Sequence, residues 1–398
     1  MTIRWRWLLP CVLLAGCAAA PRAPQDERYF HDARFRPAGE AIRVDDVFAL
    51  SPAMREYLDT EVLPRAVRRG RQNALVDVLY TQGDLKLEYD SEMTRNAAQA
   101  FAARSGNCLS LVIMTAAFAK ALDLPVHYQK VFVDDEWARS GDLYLAIGHV
   151  NLVLGKRKTD EGGYGYRVGR KPFESEGLTI DFLPPDDMRR LRTVEIGEDA
   201  IVAMYMNNRA VEALARDRVD DAYWWARASV AQSTEFLAAY NTLGAVYQRH
   251  GDLPDAQAVL RFVLAREPAN TQAMANLVAV LRDGGQVAEA DALAAQLAKL
   301  EPEPAFVHFN RGVAAFERGD FATAKDAFAR EVARAPDYHE FQFWLGVTLL
   351  RLGDTEAARR HLALAVKNST TRRDHDLYAA KLDRLLRPSA KGVREDGG

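Results

Sequence analysis

From about residue 203 onward, apolar residues recur at helical spacing in paired segments, and a small residue returns every 34 positions: Ala222, Ala256, Ala290, Ala324 and Ala358. A second position, Ala210, Gly244, Val278, Gly312 and Gly346, keeps the same interval. Gly251, Gly285, Gly319 and Gly353 fall between the two members of a pair, and Pro268, Pro302 and Pro336 close the three middle units. Small residues let antiparallel helices approach, glycine relieves the turn between them, and proline stops the second helix. The pattern predicts about five helix pairs over residues 203–372, then a cap helix and frayed tail at 373–398. Leu377, Leu382 and Leu385 are the expected apolar face of that cap. The first pair, Ala203 to Phe236, lacks the turn glycine and carries Trp224 and Trp225, as expected of a terminal unit that meets something other than a repeat.

Residues 45–200 do not repeat. Ser51-Pro52 is a cap and first-turn pair ahead of Met54, Tyr57 and Leu58. Thr94 to Arg104 reads as a helix with Ala97, Ala98 and Phe101 inward. After Gly106-Asn107, the stretch Cys108 to Leu122 is apolar nearly all round, which predicts a helix buried on every side. Strand-like runs follow at 126–133, 144–154, 164–168 and 178–183. Helices followed by consecutive strands predict an α+β layer. The expected fold is therefore an α+β domain followed by an all-α solenoid.

The 34-residue pattern resembles the tetratricopeptide repeat over about 170 residues, Ala203 to Thr370. The resemblance implies a curved stack whose concave groove takes a peptide or protein segment. Asn208, Asn276 and Asn310 share one place in the first helix of their units. In the family that place often faces the groove, where an amide bonds a bound backbone. The alternative is that these asparagines only bridge neighbouring helices.

The N-terminus has a basic start, Arg4 and Arg6, and an apolar core from Trp7 to Ala15 that is too short to span a bilayer. It ends in Leu14-Ala15-Gly16-Cys17, which resembles the lipobox of bacterial lipoproteins. The resemblance implies a signal peptide at 1–16 and a lipid on Cys17, with Ala18 in place of the inner-membrane retention Asp. That implies an outer-membrane anchor, with the protein facing the periplasm. The alternative is an ordinary cleaved signal with an incidental cysteine. Residues 17–44, rich in Ala, Pro, Arg and Asp, read as a tether. The whole chain has 52 bases and 55 acids; without the leader, which holds two bases and no acid, the net charge is -5. A mildly acidic chain without a basic stripe is a poor nucleic-acid binder, and none is expected as a partner. The one basic spot, Arg65, Arg68, Arg69 and Arg71, reads as a solvated helix end.

Cys11 leaves with the leader and Cys17 takes the lipid, so Cys108 is the lone thiol of the mature chain, in an oxidising compartment. It opens a buried helix, where unpaired N–H groups and the helix dipole favour a thiolate. A small buried hydrophobe is the competing reading. A thiol nucleophile needs a base with an orienting acceptor. Outside the repeats the histidines are His31, in the tether, His127 and His149. His149 and Asn151 share one face of a predicted strand, while Val150 and Leu152 share the other. Asp181 is an acid inside an apolar strand, costly unless paired.

Gly106-Asn107-Cys108, the long apolar helix, Leu124-Pro125-Val126, His149 and Asp181 together resemble the transglutaminase-like, papain-like superfamily over roughly 89–184. The resemblance implies Cys108 as nucleophile, His149 as base and Asp181 as the acceptor that fixes the imidazole tautomer. His127 is the alternative base. Val150 stands where many members carry Ala-Trp, and Phe182-Leu183 where they carry Pro-Thr, so substrate preference does not transfer. HExxH, paired CxxC and calcium-loop spacings do not occur, and no metal or other cofactor is expected. Asp134-Asp135-Glu136 and Asp186-Asp187 read as solvated loop charges, and Gly162-Gly163-Tyr164-Gly165 as a turn. Two functions follow. One is a thiol acyl-transfer enzyme that hydrolyses a peptide, amide or isopeptide bond, with repeats that recruit its substrate. The other is a non-catalytic outer-membrane adaptor that binds protein segments through the repeat groove.

Overall fold

The computed structural model describes residues 27–81, 85, 87–132, 137–140, 143–146, 148–155, 177–182 and 192–386. Cys17, the predicted strand at 164–168, the loop acids and the glycine-rich turn lie outside them. Helix α1 (Pro52–Tyr57) starts where Ser51 Oγ accepts from Met54 N at 3.2 Å. It continues through a π-helical turn, Leu58–Val62, into α2 (Leu63–Arg69). Gly70, at φ 76°, breaks the helix before α3 (Arg71–Val76). A short strand β1 (Glu88–Tyr89) precedes α4 (Ala97–Ala103), whose entry is a reciprocal cap between Asn96 and Gln99. Next come β2 (Ser105–Gly106), which pairs in parallel with β1, and α5 (Cys108–Ala121). Every residue from Cys108 to Ala119 is buried, as the apolar run predicts. The basic spot is engaged locally: Arg65 with Glu61, Arg69 with Asp77, and Arg71 with the Leu122 carbonyl.

Six strands follow: β3 (Val126–Phe132), β4 (Trp137–Ser140), β5 (Leu143–Ala146), β6 (His149–Leu154), β7 (Leu178–Ile180) and β8 (Arg192–Ile196). Among the described residues β7-β6-β3-β8 form an antiparallel sheet, and β4 pairs with β5 alone. The single strand expected at 144–154 is therefore two strands with different partners. Gly148 stands at the break, where a residue without a side chain weakens strand continuity. The strand expected at 178–183 ends at Ile180, which frees Asp181 from the ladder.

The repeat region comprises α6 (Glu198–Ala215), α7 (Val219–Gln232), α8 (Leu237–His250), α9 (Leu253–Arg266), α10 (Thr271–Asp283) and α11 (Val287–Leu300). It continues with α12 (Val307–Glu317), α13 (Phe321–Arg334), α14 (His339–Arg351), α15 (Thr355–Asn368) and α16 (Arg372–Leu386). The 34-residue pattern reflects packing within each pair. A Cβ on Gly244, Gly312 or Gly346 would lie within 3 Å of Leu260, Phe328 or Leu362, each sixteen residues on. Where the first position is larger, Val278 or Ala210, the residue sixteen on is a small Ala294 or Ala226. At each pair at least one of the two positions is therefore small. In the first pair Asp217, at φ 57°, takes the left-handed turn position that Gly251, Gly285, Gly319 and Gly353 hold elsewhere. In the cap helix Tyr378 is buried and Leu377 is exposed, a one-residue correction to the expected face. Tyr378 stacks on Phe343 at 4.5 Å, and its hydroxyl is 3.0 Å from His339 Nδ1.

Among the described residues the buried core falls into two clusters. One cluster runs from Phe35 through the α+β layer into the repeats as far as Ala290. The other runs from Phe306 to Ala358. Between them lie Pro302 and Pro304, and Phe306 is a buried aromatic in the left-handed region at φ 62°. Helix α11 buries only Ala290, and leaves Val287 and Leu300 more than half exposed.

Residues 27–44 are not a free tether. They lie along α7, α8 and α9. Phe35 stacks face to face on Tyr223 with centroids 3.8 Å apart. Tyr29 meets the rings of Tyr240 and Phe262. Tyr223 donates its hydroxyl proton to Asp32 at 2.6 Å and accepts from His31 N at 2.8 Å. Arg34 and His31 pair with Asp255, Arg36 with Asp220, and Glu40 with Arg209. The two aromatic anchors, Tyr29 and Phe35, and the charge pairs outweigh the polar composition that suggested a solvated linker.

Candidate active site

The turn ahead of α5 is built from short-range constraints. A Cβ on Gly106 would lie 2.6 Å from Ser110 Cβ, so only glycine fits the approach. Asn107 is the cap: its Oδ1 accepts from Ser110 N at 2.9 Å and from Ser110 Oγ at 2.7 Å. Its Nδ2 donates to Thr94 Oγ1 at 2.9 Å. Cys108 is the first helical residue and is 6% exposed. The first-turn N–H groups of a helix lack intrahelical acceptors and suit an anion.

His149 opens β6 and lies opposite Val131; Asn151 lies opposite Gln129. Ile180 pairs with Leu152, so the next residue, Asp181, falls beside Asn151 and diagonal to His149. Asp181 Oδ1 is 2.7 Å from His149 Nε2, and Oδ2 accepts from Asn151 Nδ2 at 2.7 Å. The His149 and Asp181 side chains are 4% and 2% exposed. Cys108 lies near enough to His149 to act on its titration. With Nε2 on Asp181, Nδ1 is the nitrogen left for the sulfur. Burial alone lowers the pKa of His149. The hydrogen bond to Asp181, with the influence of Cys108 and the Asp181 charge, overcomes burial and pushes it up to about 10. Such an imidazolium between a carboxylate and a sulfur can hold a proton and return it to a leaving group.

The structure joins His149 to Asp181, with Cys108 near enough to act on His149. His127 is elsewhere: its Nδ1 is 3.0 Å from Glu195 Oε1 across the sheet. His31 is on the docked N-terminal arm, paired with Asp255. Among the described residues no group of three His, Cys, Asp or Glu is placed to hold a metal ion. The part of Asn151 in holding Asp181 was not read from the sequence. Its signal was the face it shares with His149.

The three repeat asparagines do not act alike. Asn208 Nδ2 donates to Thr94 Oγ1 at 3.2 Å, so it joins the cap of the cysteine helix to α6. Glu212, also on α6, accepts from Thr94 N at 2.6 Å, and burial raises its pKa. Asn276 Nδ2 donates to Asn241 Oδ1 at 3.0 Å, bridging α10 to α8. Asn310 is exposed on α12. The far end of the stack also reaches the thiol turn. Ser91 N donates to the Thr370 carbonyl at 2.9 Å, and Arg372 pairs with Glu88 at 3.1 Å. Glu88 and Tyr89 form the strand beside Ser105-Gly106, just ahead of Cys108.

Three overlapping stretches, residues 241–305, 280–337 and 309–372, match the tetratricopeptide repeat family. This chain therefore carries tetratricopeptide repeats in its C-terminal part, and the α6–α7 pair lies outside the matched span. Solved structures with similarity include a thermophilic tetratricopeptide-repeat protein of Thermus thermophilus. It is 17% identical, covering 46% of this chain and 98% of that one at a TM-score of 0.30. PilF of Pseudomonas aeruginosa is 18% identical, covering 46% and 91% at a TM-score of 0.27. A tetratricopeptide-repeat protein from Parabacteroides merdae is 10% identical, covering 47% and 73% at a TM-score of 0.27. No curated protein matches the chain.

Proposed function

We propose that this protein is a thiol-dependent acyl-transfer enzyme of the transglutaminase-like, papain-like kind. Cys108 is its nucleophile, His149 its proton carrier and Asp181 the acceptor that orients the imidazole. The observation that carries the reading is the buried His149–Asp181 hydrogen bond, with Cys108 near enough to raise the pKa of the same imidazole. The Cys108 sulfur attacks the carbonyl carbon of a peptide, amide or isopeptide bond, while its proton resides on His149. The carbonyl electron pair moves to oxygen, for which the first-turn N–H groups of α5 are donors. Collapse breaks the C–N bond, and His149 gives its proton to the departing amine, leaving a thioester. Water then attacks the thioester as His149 takes a proton from it; the C–S bond breaks, and the acid product leaves. The repeats recruit a protein substrate or partner, in keeping with the tetratricopeptide match. Lipidation at Cys17 and a periplasm-facing site at the outer membrane belong to the same proposal.

Alkylation of the folded full-length chain with iodoacetamide, read at the Cys108 peptide by mass, tests it. Fast labelling that drops at least about tenfold in His149→Ala is expected, since the imidazole no longer sustains the thiolate. The second reading, a non-catalytic adaptor, is favoured by the burial of the thiol. It predicts labelling only after unfolding and a Cys108→Ala chain that works normally in cells; both results together overturn the enzymatic reading.

A further inference from the structure

We infer that Asn151 is a positioning residue for the site proposed above: its amide holds one oxygen of Asp181 so that the other is presented to His149. The inference rests on that proposal for its catalytic meaning, but on its own geometry for the contact. Strand β6 has neighbours on both sides, β7 and β3, so the backbone that carries His149 and Asn151 is fixed by two ladders. The two side chains are two residues apart and issue from one face. Asp181 follows β7 directly, and its carboxylate spans both, Oδ1 to His149 and Oδ2 to Asn151, each at 2.7 Å.

A carboxylate accepts and never donates when ionised. The NH2 end of Asn151 must therefore face Asp181, and its oxygen must point away. That oxygen, Oδ1, is buried without a hydrogen-bond partner, and Asn151 is 4% exposed. An unpaired buried acceptor is destabilising, and an apolar residue of similar size would avoid it. What asparagine supplies, and valine or leucine cannot, is the N–H on Asp181. A buried polar group left unsatisfied calls for a reason beyond stability. Here the reason is the carboxylate: a donor on Oδ2 favours its charged form and restrains its rotation, and the charged, fixed carboxylate holds the imidazolium.

Asn151→Leu keeps the bulk and removes the donor; Asn151→Ala is the second variant. In the full-length chain, two readings are taken from about pH 6 to about pH 11.5: the Cys108 alkylation rate, and the His149 titration by NMR of the imidazole. Loss of one hydrogen bond to a charged group is expected to move the His149 midpoint toward acid by about one pH unit. The alkaline limb of the alkylation profile moves with it. A residue that only fills space would leave both where they are. Unchanged midpoints and limbs in both folded variants overturn the inference. If one variant fails to fold, the other decides. If wild-type Cys108 resists alkylation in the folded chain and Cys108→Ala works normally in cells, the acyl-transfer reading falls alone, and the His149 titration still decides the role of Asn151.

Discussion

The helix pairs α6 to α11 and the helices α12 to α16 carry one 34-residue period but live in different surroundings. The proximal pairs share a core with the α+β layer and bear the N-terminal arm on α7, α8 and α9. Their polar positions face inward to the rest of the molecule, Asn208 to Thr94 and Asn276 to Asn241. The distal helices are held by an aromatic cluster of their own: Phe306, Phe309, Phe328 and Phe341 with Trp344 against them. They meet the α+β layer through polar contacts, among them Ser91 with Thr370 and Arg372 with Glu88. A repeat period therefore encodes the geometry inside a helix pair. It does not encode which pairs share a core.

The sharpest way to break this comparison is to damage each core separately. Tyr223→Ala removes a buried ring that stacks on the arm, and Phe328→Ala removes one from the distal cluster; each should cost about 3–5 kcal/mol. Calorimetry should show two transitions, with Tyr223→Ala lowering one and Phe328→Ala the other. A single transition that both variants lower equally would mean one cooperative core. Acidity should separate the regions next. His149 has its pKa raised to about 10, so its contribution is complete below the ordinary value near 6.5 and is lost as pH climbs from there through about 10. His339 in α14 has its pKa lowered, chiefly by burial and against the nearby acids Asp374 and Glu340. Its contribution is complete above the ordinary value and is lost as pH falls through the lowered one. The proximal transition should thus weaken in mild alkali and the distal one in mild acid, as melts across pH would show.

Gly312→Ala comes third. Its Cβ would lie 2.6 Å from the Phe328 ring, and overpacking of this kind costs about 1–3 kcal/mol, visible in the distal transition alone. The smallest effect belongs to the contact between the ends. Arg372→Glu breaks an exposed pair worth less than about 1 kcal/mol, so neither melting transition should move much. Spin labels at positions 88 and 372 should nonetheless report a broader distance distribution; an unchanged one would show that the end is held by other contacts.

Much of the α+β layer was legible because its signals are local. The apolar run after Cys108, the Asn107 cap and an acid within an apolar strand each announce their surroundings. The docked arm was not legible, since Tyr29 and Phe35 are isolated among charges and follow no period. The division of the core escaped for a different reason: the 34-residue spacing runs unbroken across Glu301 and Phe306, and the repeat match spans 280–337. Tyr378 was missed beside Leu377 because one position on a helix turns the face by about a quarter of a circle. Asn151 looked like a strand residue on the right face, and only the sheet register puts Asp181 within its reach.

The arm has one further consequence, for reach. A tether running from Cys17 to residue 44 would let the body wander through a wide shell above a membrane, up to about 95 Å away when fully stretched. Docking from residue 27 leaves the length of residues 17–26, at most about 35 Å of chain. On the proposed anchoring at Cys17, the repeats are then moored close to the bilayer by their own side. Under that proposal the thiol site would sweep a thin layer beside the membrane, and substrates fixed in or near that layer would meet it at a far higher local concentration than freely diffusing ones.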